Sequence, residues 1–236
     1  MAHFYEPKAP QPFLRIPGAV TVLVAVLIGA HAARVLFFRD ETAQLLYRFG
    51  FVPARYSASF LTEHFINGGS ILERSIPFVS YMFLHVDWTH LIINCIWLLP
   101  FGAMVAQRYG SFPFLLFFLI CGVLGAAFHL ALNWGSTSPV IGASAAISGL
   151  MAASFRLLPN GPQGPLQPLF SKRVLLLSIV WTGINAVAGI TGIGAGPGVH
   201  MVAWEAHMGG YFAGLLLAGA FDSLWRRSRL MPDLAR

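Results

Sequence analysis

The apolar residues of this chain gather into six long runs, at 17–38, 88–106, 112–132, 143–157, 174–190 and 203–224. A helix rises ~1.5 Å per residue, so ~20 residues cross a ~30 Å hydrocarbon core. The pattern therefore predicts an all-α membrane protein, a bundle of six transmembrane helices. Between the first two runs lies a mixed stretch, 39–76, which carries Asp40, Glu41, Arg48, Arg55, Glu63, Glu73 and Arg74 yet is rich in Phe and Tyr. Segments this long are rarely structureless in a compact protein, so a long first external loop containing short helices is expected, with aromatics at the interface. The fourth run is the informative one. Its ~15 residues give only ~22 Å of helix, so its outer end must lie below the membrane surface, beneath the polar run 133–138. Irregular backbone at that depth must be buried in protein or line a wet cavity.

Composition agrees with the pattern. The chain is 56% hydrophobic and 10% charged, with mean hydropathy +0.68, whereas soluble domains carry roughly 25% charged residues. A net charge of +6 would suggest nucleic acid in a soluble protein. Here Lys8, Arg15, Arg108, Arg156, Lys172, Arg173, Arg226, Arg227 and Arg229 cluster at run ends on one side, and the connections 133–142 and 191–202 hold no Lys or Arg. The positive-inside rule then makes both termini cytoplasmic, and no nucleic-acid partner is expected. Arg34, at the far end of the first run, is expected to snorkel to the interface. The first sixteen residues show no removable targeting pattern. The expected organisation is a cytoplasmic N-terminal segment 1–16, a membrane bundle 17–225 and a basic cytoplasmic tail 226–236. Cys95 and Cys121 fall inside apolar runs and read as packing residues, with no disulfide framework or cysteine metal site.

Candidate chemistry centres on Ser144, within PVIGASAAISGLMAA at 139–153. A serine at a helix start leaves its own amide N–H pointing at whatever approaches the hydroxyl, and Gly142 lets the backbone come close. A hydroxyl needs a base to attack a carbonyl, and His207, in WEAHMGGYFAG, is the candidate. Small residues recur every fourth position at Ala145, Gly149 and Ala153, and again at Ala206, Gly210, Gly214 and Ala218. Such stripes allow close helix approach and would bring Ser144 to His207; simple packing accounts for them equally well. His90 and Asn94, four apart on the second run, are costly in a membrane unless paired. They suit either oxyanion stabilisation beside the Ser144 amide or interhelical hydrogen bonding. His85 reads as a loop-fixing residue, and His129 as structural with no evident partner. No His-Glu-x-x-His string, no pair of intramembrane aspartates and no internal repeat occurs in the sequence, which argues against a metalloprotease, an aspartyl protease and a transporter.

Taken together, FLHVDWTHLIIN with His90 and Asn94, Gly142-Ala143-Ser144, and Ala206-His207 followed by Gly209, Gly210 and Gly214 resemble the signature of the rhomboid intramembrane serine proteases. The resemblance runs in order from about Phe78 to Gly219. It implies Ser144 as nucleophile, His207 as base in a dyad, and an oxyanion hole from His90, Asn94 and the Ser144 amide, with His85, Gly142, Gly210 and Gly214 in support. It implies no metal and no cofactor, and substrates that are single-pass transmembrane proteins cut near the outer face of the bilayer next to small residues. A multi-pass protein of the bacterial plasma membrane is expected. Two departures stand out. Ala145 follows the serine where many members have glycine, and Ser148 occupies the position of an aromatic that packs on the histidine. Tyr211, one turn after His207, is the expected substitute. The Gly-rich stretch 189–198 is a candidate lid. The alternative is a catalytically silent rhomboid-like protein that binds transmembrane clients.

Overall fold

A computed structural model describes residues 15–64, 69–158, 160–192 and 203–226. Among these the fold is helical, with one isolated antiparallel bridge between Phe51 and Val140. Helix α1 spans Gly18–Phe37, and short helices α2 (Thr42–Phe49), α3 (Ala58–Glu63), α4 (Ile71–Ser75) and α5 (Pro77–Ser80) follow, with 3₁₀ turns at Pro53–Tyr56 and Tyr81–Phe83. The longer α6 (Trp88–Tyr109), α7 (Ser111–Leu132), α8 (Ser144–Leu157), α9 (Lys172–Thr191) and α10 (Trp204–Phe221) complete it, α10 running into a π turn at Asp222–Arg226. By length and composition α1, α6, α7 and α9 are long and apolar enough to cross a membrane. Much of the proposed lid, 193–198, falls outside the described residues, as do 1–14 and 227–236.

Local sequence explains where these helices start and stop. Asp87 caps α6 by accepting the His90 N–H at 2.8 Å. Gly110, with φ of +95°, turns the chain from α6 into α7, and Gly192, with φ of +70°, ends α9. Ser171 caps α9 through the Val174 N–H.

The centre of the molecule is α8. Twelve of its fourteen residues are buried, because small side chains let neighbours approach its backbone. A Cβ at Gly210 would collide with the Ala145 carbonyl, one at Gly214 with Gly149, and one at Gly149 with Cys121. The stripes on α8 and α10 thus face each other backbone to backbone. On the other side, Gly125 of α7 lies against Ala206 and Ala145, where a Cβ would stand 2.7 Å from the Ala206 oxygen and 2.9 Å from the Ala145 Cβ. Cys121 is buried in this contact and Cys95 is half-buried.

The stretch between α1 and α6 fixes the chain entering α8. Phe51 and Val140 exchange both backbone hydrogen bonds, at 2.9 and 2.8 Å, and the Ala54 N–H donates to Ser136 O at 2.8 Å. The Gly142 N–H donates to Tyr81 O at 2.9 Å, while the Tyr81 hydroxyl donates to Gly122 O at 2.8 Å. Arg34 does not snorkel: it is buried, and its guanidinium donates to His85 O at 2.9 Å and Val86 O at 3.1 Å, tying α1 to the start of α6. Those inward carbonyls, left unpaired before α6 begins, draw the charge inside. At the opposite end Arg108 donates to Asp222, Pro162 O and Gly164 O, and Arg156 to Gln167 O and Leu215 O. Both side chains strap the connection between α8 and α9.

Candidate active site

Ser144 is the first residue of α8, and the turn that delivers it needs a glycine. Gly142 has φ of +114°, and a Cβ there would sit 2.8 Å from His90 Cε1 and Nε2 and 3.5 Å from Asn94 Nδ2. The absence of a side chain at 142 therefore keeps His90 and Asn94 of α6 directly beside the backbone that leads into Ser144. In the first turn of α8 the Ser144 N–H has no helical carbonyl to bond, and it lies at the positive end of the helix.

His207 is carried on the first turns of α10, and the stripe contacts bring its helix against α8. His207 Nε2 lies 2.7 Å from Ser144 Oγ. Both residues are half-buried, while Ala143, Ala145 and Ala206 around them are fully enclosed. The other ring nitrogen, Nδ1, lies 2.9 Å from Asn185 Oδ1 on α9. Asn185 Nδ2 donates to Trp181 O at 2.8 Å. A carbonyl can only accept, so the amide nitrogen must face Trp181 and the amide oxygen must face His207. That arrangement places the proton on Nδ1 and leaves Nε2 as an acceptor towards the serine hydroxyl.

Asn94 is buried, and its Nδ2 has no hydrogen-bond partner among the described residues. The His90 ring meets His85 edge-on at 5.1 Å between centroids, and His85 meets His31 at 6.5 Å. His85 is enclosed; its backbone oxygen, rather than its ring, takes part in the Arg34 bond. Two expectations need correcting. Tyr211 does not touch the His207 ring: its hydroxyl pairs with Ser178 Oγ of α9 at 2.7 Å and its ring packs against Phe155 and Phe212. One turn further along α10 than His207, residue 211 sits between Phe155 of α8 and Ser178 of α9. His129 does have partners, with Glu205 Oε2 at 3.4 Å from Nδ1 and Asn133 donating to its backbone oxygen at 3.2 Å. Ser148 turns back to donate to the Ser144 carbonyl at 2.8 Å.

Asn185 is the residue that sequence reasoning missed. The signal was available, since an asparagine within an apolar run is costly unless paired, and the argument applied to Asn94 holds equally at 185.

The fold and the site define a class: a membrane-embedded helical bundle with a hydroxyl and an imidazole paired at the start of a short central helix. Residues 73–222 match the Rhomboid domain, and the chain belongs to the rhomboid family. It is an integral membrane protein. It is 29% identical over 167 residues to Rhomboid-like protein 11, chloroplastic, of Arabidopsis thaliana, covering 67% of this chain and 59% of that one. It is 31% identical over 137 residues to Rhomboid protease GluP of Bacillus subtilis, covering 58% of this chain and 24% of the relative. Similarity to Rhomboid protease AarA of Providencia stuartii is 29% over 157 residues, covering 59% and 53%. The chain thus spans only part of each relative's length.

Proposed function

We propose that this chain is a serine-type intramembrane endopeptidase that cleaves transmembrane segments of single-pass membrane proteins. The observation that carries the reading is the 2.7 Å approach of His207 Nε2 to Ser144 Oγ, and two relatives named as rhomboid proteases support it. Ser144 Oγ attacks the substrate carbonyl carbon while its proton passes to His207 Nε2. The negative charge on the carbonyl oxygen is held by the Ser144 N–H, Asn94 and His90. A buried amide donor without a partner, such as Asn94 Nδ2, is costly until an acceptor arrives, which suits this role. His207 then returns the proton to the leaving amine, and water, deprotonated by the same imidazole, releases the acyl group as a carboxylate. No metal or cofactor takes part.

The reading includes six membrane crossings, by α1 and α6 to α10, with the 39–83 stretch and the start of α8 towards the outer face and both termini in the cytoplasm. α8 is 14 residues long, about 21 Å, so Ser144 lies beneath the outer surface, and substrates are cut near that face. Residues 17–225 form the catalytic bundle, flanked by cytoplasmic segments 1–16 and 226–236, in a bacterial plasma membrane. The test is cleavage of a model single-pass substrate in liposomes by the wild type, Ser144→Ala and His207→Ala, with mass analysis of the products. Loss of cleavage in both folded variants is expected. Persistence in Ser144→Ala would remove the serine from the mechanism, and a wild type inert towards several substrates would favour client binding without catalysis.

A further inference from the structure

We infer that Asn185 is the positioning residue for His207, so that the working unit is a Ser144–His207–Asn185 relay whose third member is a neutral amide supplied by α9. The inference rests on the proposed serine mechanism and adds to it the group that selects the histidine tautomer. Asn185 is 2% exposed, accepts from His207 Nδ1 at 2.9 Å and is itself oriented by its 2.8 Å donation to Trp181 O. No aromatic ring among the described residues stacks on His207: residue 148 is a serine that bonds within its own helix, and Tyr211 packs on Phe155 with its hydroxyl on Ser178. Without an acceptor at Nδ1 the imidazole is free to carry its proton on Nε2, where it cannot receive one from Ser144. Charge does not select the tautomer either. The groups around His207 are the imidazoles of His90 on α6 and His129 on α7, and the acid on its own helix, Glu205, is paired with His129.

A neutral acceptor has a chemical consequence. A carboxylate at this position would stabilise the imidazolium strongly, whereas an amide orients the ring without adding a charge to a low-dielectric site, where an unpaired ion is costly. The carboxamide also has a second duty that a carboxylate cannot perform, donation to Trp181 O. This separates positioning from mere support of α9.

The test is steady-state cleavage across pH by wild type, Asn185→Ala, Asn185→Leu and Asn185→Asp, with thermal unfolding of each in detergent. Removing the acceptor is expected to lower kcat about 10- to 100-fold, less than the roughly 10²- to 10⁴-fold of losing a general base outright, with KM little changed. Leu, similar in volume and apolar, replaces Ala as the readout if Ala does not fold. Asp supplies an acceptor but no donor for Trp181 O. It is expected to bring kcat back to within about tenfold of wild type and to move the acidic limb of the profile upward by roughly one pH unit, because the carboxylate favours protonated His207. Two results would overturn the inference: kcat in the folded Ala or Leu variant within twofold of wild type with an unmoved profile, or Asp as impaired as Ala with the limb unmoved, which is the outcome for a residue that only supports α9. Ser144→Ala is run in parallel. Residual cleavage there brings down the serine mechanism itself, whereas a dead Ser144→Ala beside a fully active Asn185→Ala brings down only the role of Asn185.

Discussion

At Gly142 the backbone turns with φ of +114°, and a methyl group there would stand 2.8 Å from the His90 ring. Gly142→Ala therefore combines backbone strain of about 1–3 kcal/mol with a clash in the space where the substrate oxygen would lie. Kinetics are expected to show a fall in kcat, with the variant still extractable and folded. Asn94→Ala removes one donor and is expected to cost about 10²- to 10³-fold in kcat with little change in KM. An Asn94→Ala enzyme with unchanged kcat would return Asn94 to interhelical bonding. Single residues of this kind were legible in the sequence because polar groups in apolar runs are few and each demands a partner. Ser144, His207, His90 and Asn94 stood out for that reason, and Gly142 as the small residue that lets the backbone come close. Asn185 was passed over although the same argument applies to it, because it falls outside the short strings that carry the other site residues. The orientation of Tyr211 was illegible for another reason: sequence spacing puts it one turn from His207 but does not say which helix that face meets.

At the scale of elements, the decisive contact is α8 against α10. Backbone atoms of Ala145 and Gly149 occupy the places where side chains at 210 and 214 would go. Gly210→Val is expected to lower stability by about 1–3 kcal/mol through overpacking, seen as earlier thermal unfolding in detergent. Activity should fall further than stability, since the same displacement parts Ser144 from His207. Unfolding indistinguishable from wild type would mean that the helices can separate without loss. The stripes and the short α8 could be read in advance because both are matters of residue size and count. The fates of Arg34, Arg108 and Arg156 could not. A long basic side chain at a helix end serves equally well reaching for water or for buried carbonyls, and the carbonyls that win come from the connections at His85, Val86, Pro162, Gly164 and Gln167 and from Leu215 within α10.

Across the whole molecule, the long helices differ in how firmly they are held. α8 is enclosed almost throughout, yet of the twenty residues of α9 only Val174, Asn185 and Gly189 are buried. At Gly189 the contact is with the Trp204 ring, which a side chain would displace. A helix of that length is about 30 Å long, and when few protein contacts restrain it, its tilt follows the thickness of the surrounding lipid. Asn185 rides on this helix. In liposomes of graded acyl-chain length, wild-type turnover is expected to peak at one thickness and fall on either side, whereas Asn185→Leu, with nothing left to misalign, should give a lower and flatter curve. Equal curves for the two would show that α9 keeps one tilt in every bilayer. A turnover peak of that kind would make hydrophobic mismatch a reaction variable, with the width of the membrane, sensed by one loosely seated helix, setting how well the proposed base is aimed.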